Sequence, residues 1–203
     1  MFKTGQLNTF ERPNLTFSLS DKALYDNICF MYNTKPGLGI YSDYHQLHYS
    51  YVPVHNSFEL KIKPDKVIPF NLRDKIALIY TDDKDTSGKA AWYADKGWYK
   101  ASARDFGTYW LAADTTAPAI MTTLKNGADM SKASQILFTV KDDMTSVKYY
   151  RGEIDGKWVC FEQHNDLFFY TFDEHCTKGK HELVFTASDE NNNTRTAHYT
   201  FIR

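Results

Sequence analysis

The stretch VKYYRGEIDGKWVCFEQHNDLFFYTF, residues 147–172, decides the fold class. Asp155-Gly156 separates two runs rich in aromatic and β-branched residues. A two-residue type I′ turn requires positive φ at both central positions, which Asp and Gly tolerate. The segment therefore reads as a hairpin with strands over 147–154 and 157–163. That register sets Ile154 opposite Lys157, Gly152 opposite Val159 and Tyr150 opposite Phe161 on one side. On the other side Glu153 faces Trp158, Arg151 faces Cys160 and Tyr149 faces Glu162.

A three-residue turn at His164-Asn165-Asp166 extends the pattern. Leu167 and Phe169 then join the first side, and Phe168, Tyr170 and Phe172 the second. The first side is nearly uncharged and is the expected core. The second mixes Trp158, Phe168, Tyr170 and Phe172 with Arg151, Glu153 and Glu162, more apolar surface than a solvated face carries. Three explanations stand: a neighbouring domain or other part of a larger parent covers it, a bulge shifts the register and makes Trp158 core, or a ligand lies on it. Arg151, Trp158, Phe168 and Phe172 are accordingly the expected interdomain or partner surface.

Outward from this hairpin the pattern repeats. Strands are expected over 135–140, 181–187 and 196–202, and earlier over 15–19, 27–32, 57–62, 76–80, 89–94, 97–101 and 108–113. Lys35-Pro36-Gly37, Lys63-Pro64-Asp65, the 82–88 segment and Asp95-Lys96-Gly97 read as turns, through the fixed φ of proline and the positive φ open to glycine. Helical signals are confined to single turns near 21–25 and 71–75. Asp114-Thr115-Thr116-Ala117-Pro118 follows one apolar strand and precedes a fresh alternating run, and proline stiffens such a crossing. The expected organisation is all-β: an N-terminal extension over 1–13, a β-sandwich over 14–114 and a second β-sandwich over 115–203. Aromatic residues at 16% suit pleated, half-buried surfaces.

Charge narrows the partners. A net charge of −1, from 24 basic and 25 acidic residues without blocks of one sign, gives no electrostatic support for nucleic acid or an anionic membrane surface. No apolar run spans a bilayer, and residues 1–13 lack the hydrophobic core of a signal peptide, as in a cytoplasmic protein or a piece of a longer exported one. Cys29, Cys160 and Cys176 lack metal-site spacing and read as small buried hydrophobes. The Asp105-Phe106-Gly107 tripeptide has neither a phosphate-cradling loop nor a His-Arg-Asp segment before it, so a kinase reading fails.

Several segments together carry a family resemblance. They are Ala23-Leu24-Tyr25-Asp26, Phe106-Gly107-Thr108-Tyr109, Ala113 to Pro118, Val140-Lys141-Asp142-Asp143 with Ser146 and Tyr149, Ile154-Asp155-Gly156-Lys157-Trp158-Val159, and Asp189-Glu190-Asn191-Asn192. The chain resembles the non-catalytic region that follows the catalytic domain in lysostaphin-type zinc endopeptidases of Bacteroidetes-type bacteria. The resemblance implies two β-sandwich modules, the second immunoglobulin-like. It also implies export to the periplasm, outer-membrane surface or extracellular space, and association with peptidoglycan. The partners it implies are an upstream catalytic domain or a cell-wall glycan or protein.

The residues themselves argue against catalysis by this chain. Lysostaphin-type zinc sites use His-x-x-x-Asp and His-x-His, because an open tetrahedral site needs three fixed protein ligands and a water. Four residues beyond the seven histidines stand Tyr49, Val52, Glu59, Phe168, Gly179, Phe185 and Ile202, and no two histidines are separated by one residue. No catalytic residue and no zinc are expected. His45, His48 and His55 lie in loop and strand surroundings, where a three-residue spacing splits rings across faces. Asp142, Asp143 and Asp189 could take calcium, although Asp also simply favours turns. No Gly-x-Ser-x-Gly elbow and no strand end with paired carboxylates is found.

What remains is a surplus of rings. Trp92, Tyr93, Trp98, Tyr99 and Trp110 crowd the end of the first domain, and exposed rings stack on sugars. If Tyr109, Leu111 and Ala113 point inward, Trp110 points out. Trp98, Trp110, Trp158 and Tyr170 are the candidate ligand-binding residues. The expected function is an accessory or scaffold role in an exported envelope peptidase-like protein. A glycan-binding surface module is the alternative, and an independent hydrolase a distant one.

Overall fold

The computed structural model describes residues 1–82 and 84–203; Asp83, inside the expected 82–88 loop, lies outside the described residues. The chain divides into two compact units, Met1–Thr115 and Thr116–Arg203. Both are built from strands. The helical elements among the described residues are two 3-10 turns, Phe70–Lys75 and Asp95–Gly97, and no helix there is long and apolar enough to cross a membrane.

The first unit is a β-sandwich. Its strands are β1 (Asn8–Arg12), β2 (Leu15–Leu19), β3 (Tyr32–Lys35), β4 (Tyr44–Leu47), β5 (Phe58–Ile62), β6 (Ile76–Thr81), β7 (Thr86–Ala90), β8 (Trp92–Tyr93), β9 (Tyr99–Ala103) and β10 (Gly107–Ala113). One sheet runs β1-β2-β5-β9-β8 and the other β3-β4-β10-β6-β7, all pairings antiparallel. Period-two alternation aims Leu15, Phe17 and Leu19, then Phe58, Leu60 and Ile62, into the space between the sheets. Leu47, Ile76, Leu78, Tyr109 and Leu111 meet them from the opposite sheet in one core. Each fully buried aliphatic side chain contributes roughly 1.5–3 kcal/mol relative to exposure.

Residues 1–13 are not an extension. β1 pairs with β2 along its whole length across the Pro13-Asn14 turn, and Phe2 is a core residue stacked on Phe30 at 4.4 Å. The expected strand over 27–32 is reduced to an isolated Phe2–Ile28 bridge, with regular pairing beginning at Tyr32. Residues 21–25 form an irregular turn rather than a helical one, burying Ala23 and Leu24. The expected 82–88 loop is shorter than the spacing suggested, since Thr86 already pairs with Thr81. The 71–75 turn is present as the Phe70–Lys75 3-10 element.

The second unit has an immunoglobulin-like strand order. Its strands are β11 (Ala119–Met121), β12 (Ala128–Asp129), β13 (Gln135–Lys141), β14 (Val147–Ile154), β15 (Lys157–Val159), β16 (Glu162–His164), β17 (Leu167–Thr171), β18 (Lys180–Asp189) and β19 (Thr194–Ile202). The sheets run β11-β13-β17-β16 and β12-β19-β18-β14-β15, with β12 parallel to β19 and the other pairs antiparallel. This matches the A-B-E-D and G-F-C arrangement of immunoglobulin sandwiches, with an added strand on each side of G-F-C.

The Asp155-Gly156 turn has φ of 51° and 73°, and Ile154–Lys157, Glu153–Trp158 and Gly152–Val159 pair as the sequence predicts. Beyond Val159 the register departs from expectation. Instead of continuing beside β14, the chain crosses to the other sheet through Cys160-Phe161, and Glu162 pairs with Phe169 rather than with Tyr149. The following turn is the two-residue Asn165-Asp166, not three residues, since His164 pairs with Leu167. That single-residue difference inverts the faces. Phe168 and Tyr170 enter the core, whereas Leu167 is exposed and Phe169 half-buried. Phe161 fills the crossing and packs on Phe185 at 4.9 Å and Phe138 at 5.8 Å. A Cβ at Gly152 would stand 2.2 Å from the Phe161 ring, so the glycine makes room for it.

Candidate functional site

The outward face of the β1-β2-β5-β9-β8 sheet follows from the same alternation that builds the core. Pairings Glu11–Thr16, Thr16–Lys61, Lys61–Lys100 and Lys100–Trp92 set these five residues in one row across the sheet. Glu59, in the neighbouring row, joins Lys61 at 3.1 Å and Lys100 at 2.9 Å, which holds its carboxyl below the ordinary carboxylate range. Both partners are solvated, so the pairs position side chains more than they add stability.

At the end of this face the β8–β9 hairpin turns through Asp95-Lys96-Gly97, with φ of 57° at Lys96 and 85° at Gly97. The Ala94 amide donates to the Trp98 carbonyl at 2.6 Å and closes the turn. Trp98 lies two residues before Lys100, so its side chain falls on the same outward face. There it borders a groove of about 340 Å³ whose other walls include Glu11, Arg12, Thr16, Lys61 and Lys96. Arg12, paired with the buried Leu15, turns the other way: its guanidinium rests 4.7 Å from the centre of the Phe10 ring and 5.8 Å from that of Tyr32, on the inward side of the sheet. On the opposite side of the turn, Tyr93 and Tyr99 border a second hollow of about 240 Å³ with Lys63 and Arg73. Trp92 and Tyr93 are 66% and 58% exposed.

The remaining sequence candidates separate. Trp110 is half-buried on the other sheet of the first unit, edge-on to Tyr44 at 5.0 Å, and so shares no surface with Trp98. Trp158, opposite Glu153 and 59% exposed, borders a hollow of about 660 Å³ in the second unit with Asp155, Lys157, Glu174 and His181. Tyr170 cannot offer its ring to a ligand: it is 1% exposed and donates its hydroxyl to Asp173. Of the expected partner surface only Arg151 and Trp158 lie outside, Arg151 bonded to Glu153 at 2.7 Å. Phe168 is core, and Phe172 is half-buried beneath the Arg203 guanidinium at 4.2 Å.

Several of the histidines and aspartates are engaged by the fold. His181 meets Asp155 Oδ2 through Nδ1 and the Thr177 carbonyl through Nε2, both at 2.7 Å. Burial lowers its pKa, but these two acceptors outweigh burial and raise it above the ordinary imidazole value. The pair has the base-and-orienter geometry of a triad, yet the second ring nitrogen is spent on a carbonyl and is not presented to a nucleophile. His45 and His55 meet Tyr32 and Tyr25 respectively, each at 2.8 Å, so the loop histidines serve different contacts. Asp142 accepts the Met144 and Thr145 amides, and Asp189 accepts the Asn193 amide and side chain, each closing its own loop. Cys176 is buried, but Cys29 and Cys160 are exposed, contrary to expectation; at Cys160 the inward position of the crossing goes to Phe161.

Sequence reasoning missed the charged wall around Trp98. The signal was present in Phe58, Leu60 and Ile62, whose burial side fixes Glu59 and Lys61 outward. It was absent for Glu11 and Arg12, because 1–13 read as an extension.

A family model described as a Zu5-like domain matches residues 1–114. No curated protein matches the chain. Among solved structures, fibronectin(III)-like modules of Clostridium thermocellum CbhA are similar over 85% of this chain and 93% of theirs, at 12% identity and a TM-score of 0.36. A polysaccharide lyase is similar over 97% of this chain and 31% of its own, at 9% identity and a TM-score of 0.30. Likenesses this slight transfer no site.

Proposed function

We propose that this chain, which belongs to the Zu5-like domain family through residues 1–114, works as a binding and positioning region rather than as a hydrolase. In this reading it is an accessory region of an exported, peptidase-like cell-envelope protein, and its Trp98 groove holds a cell-wall saccharide. The supporting observation is a partly exposed tryptophan on a braced hairpin, beside Glu11, Lys61 and Lys96. A ring supplies a flat apolar surface for a sugar face, while carboxylate and ammonium groups accept from and donate to its hydroxyls.

A cell-wall pull-down or glycan array with purified chain tests this. Trp98→Ala should weaken retention by about tenfold, equivalent to ~1.4 kcal/mol, with the circular dichroism unchanged. A folded parent chain that retains nothing contradicts saccharide binding. Peptidoglycan turnover with added zinc, lost on replacing one histidine, refutes the non-hydrolytic role.

A further inference from the structure

We infer that the ligand of the Trp98 face is an internal stretch of an uncharged, linear glycan, held at a second subsite by Trp92 and not by a chain end; this rests on the saccharide reading above. Both indoles project from one side of the β8–β9 hairpin. Trp92 stands opposite Lys100, whose neighbours Tyr99 and Ala101 are buried, so it shares the outward face. Trp98, extended at φ of −81° and ψ of 145° and next to the buried Tyr99, points the same way. The Ala94 amide donates to the Trp98 carbonyl, and Trp92 lies two residues before Ala94, which sets the two tryptophans diagonally across the hairpin at about 7–8 Å. Tyr93, opposite the buried Tyr99, belongs to the other side and takes no part.

The length of the face calls for a chain. Thr16, in the wall of the groove, and Trp92 occupy one row of the sheet, three inter-strand spacings apart, or about 14 Å. A single sugar ring cannot touch both; successive rings of one chain can. β8 is also the last strand of its sheet, so a chain crossing Trp92 runs off the edge into solvent and meets no wall that would read its end. Trp92 is 66% exposed, and neither indole packs on another ring among the described residues.

The charges on this face cancel. Lys61, Lys96 and Lys100 are matched in number by Glu11, Glu59 and Asp95. Both Lys61 and Lys100 reach to Glu59, which stands opposite Ser102 and so beyond Lys100 from Trp98. Their ammonium groups are thereby drawn away from the two indoles. What is left between the rings suits apolar sugar faces, and the balanced charges at the margin suit hydroxyls more than ions.

N-acetylglucosamine and glucose oligomers of increasing length, both uncharged, provide the test. Titration of the full chain should show affinity climbing at least about fivefold from disaccharide to hexasaccharide and then levelling, because the second contact is made within one complex. Chemical reduction of the terminal ring of the hexasaccharide should change nothing, and salt should have little effect. Trp92→Ala should abolish the gain with length yet leave disaccharide binding at the parent level, Trp92→Tyr should keep most of the gain, and Trp98→Ala should weaken every length. Equal affinity for disaccharide and hexasaccharide, or a gain with length that survives Trp92→Ala, would overturn the two-subsite chain and leave saccharide binding standing. Binding lost on reducing the terminal ring would overturn it in favour of end recognition, and binding that falls steeply with salt would overturn the uncharged ligand. Failure of both series and of intact cell-wall glycan to bind folded protein removes the saccharide reading itself.

Discussion

Replacing Gly152 by alanine probes the crossing that makes the second unit an immunoglobulin-like sandwich. The added methyl would sit 2.2 and 2.3 Å from two carbons of the Phe161 ring, where ordinary contacts begin near 3.4 Å. The ring cannot simply retreat, because Phe138, Tyr170 and Phe185 stand 5.8, 5.8 and 4.9 Å from it, centre to centre. Overpacking of this kind costs about 1–3 kcal/mol. An overlap this deep takes the upper half of that range, about 2–3 kcal/mol, and the lower chain entropy of alanine in the unfolded state returns about 0.4–1 kcal/mol, leaving a net loss of about 1–2.6 kcal/mol. Native-state hydrogen exchange at the β14 and β18 amides reads this loss in the second unit alone. A double cycle with Phe161→Leu should show a favourable coupling of about 1 kcal/mol, since the shorter side chain vacates the contested space. Gly152→Ala within about 0.5 kcal/mol of the parent, or strict additivity with Phe161→Leu, would refute the crossing as described.

Two pH dependences of opposite sign follow from the histidines. Burial lowers the His45 pKa to about 4, the nearby Asp43 carboxylate opposing it in part, so the unfolded chain binds its proton more readily. The stability this histidine lends the first unit is present above pH 6.5 and fades by about 3 kcal/mol as pH falls to about 4. His45→Gln should flatten that acid limb in a melting series. His181, raised in the folded state, contributes fully below the ordinary imidazole pKa, and its contribution is lost as pH rises through the folded value. Asp155, held low chiefly by the Glu182 amide, contributes above the ordinary carboxylate range. Asp155→Asn should therefore remove most of the decline of the second unit on going from mildly acidic to alkaline pH, and a decline of unchanged size would contradict the pairing. Thiol labelling should modify Cys29 and Cys160 readily and Cys176 only on unfolding.

The fold was legible where local rules agree with tertiary packing. Asp155-Gly156 leaves the backbone little choice, and the alternations in Leu15–Leu19 and Phe58–Ile62 set one face toward the core unambiguously. It was illegible where one residue decides a face. Extending β15 past Val159 looked favourable because 157–163 is a continuous strand-like run. The compensating signals, a glycine at 152 and a phenylalanine at 161, acquire meaning only once the two are opposed in space. β1 and β4 were missed for a different reason: Asn8–Arg12 and Tyr44–Leu47 are short and largely polar, and pairing to a neighbour makes them strands.

The candidate site was half visible. Exposed aromatics can be listed from composition, but Tyr170 and Trp98 are indistinguishable until the register says which one points outward. The charges around Trp98 come from β1, β5 and the β8–β9 turn, distant segments that no spacing rule connects.

The central claim is that Trp98 and its charged neighbours form the surface that holds a saccharide. Titrating isotopically labelled chain with a soluble cell-wall oligosaccharide, while following the indole N–H signals of Trp92, Trp98, Trp110 and Trp158, tests it most directly. The Trp98 signal should move saturably, Trp92 less so, with Trp110 and Trp158 still. Movement confined to Trp158, or none at saturating oligomer, would contradict it.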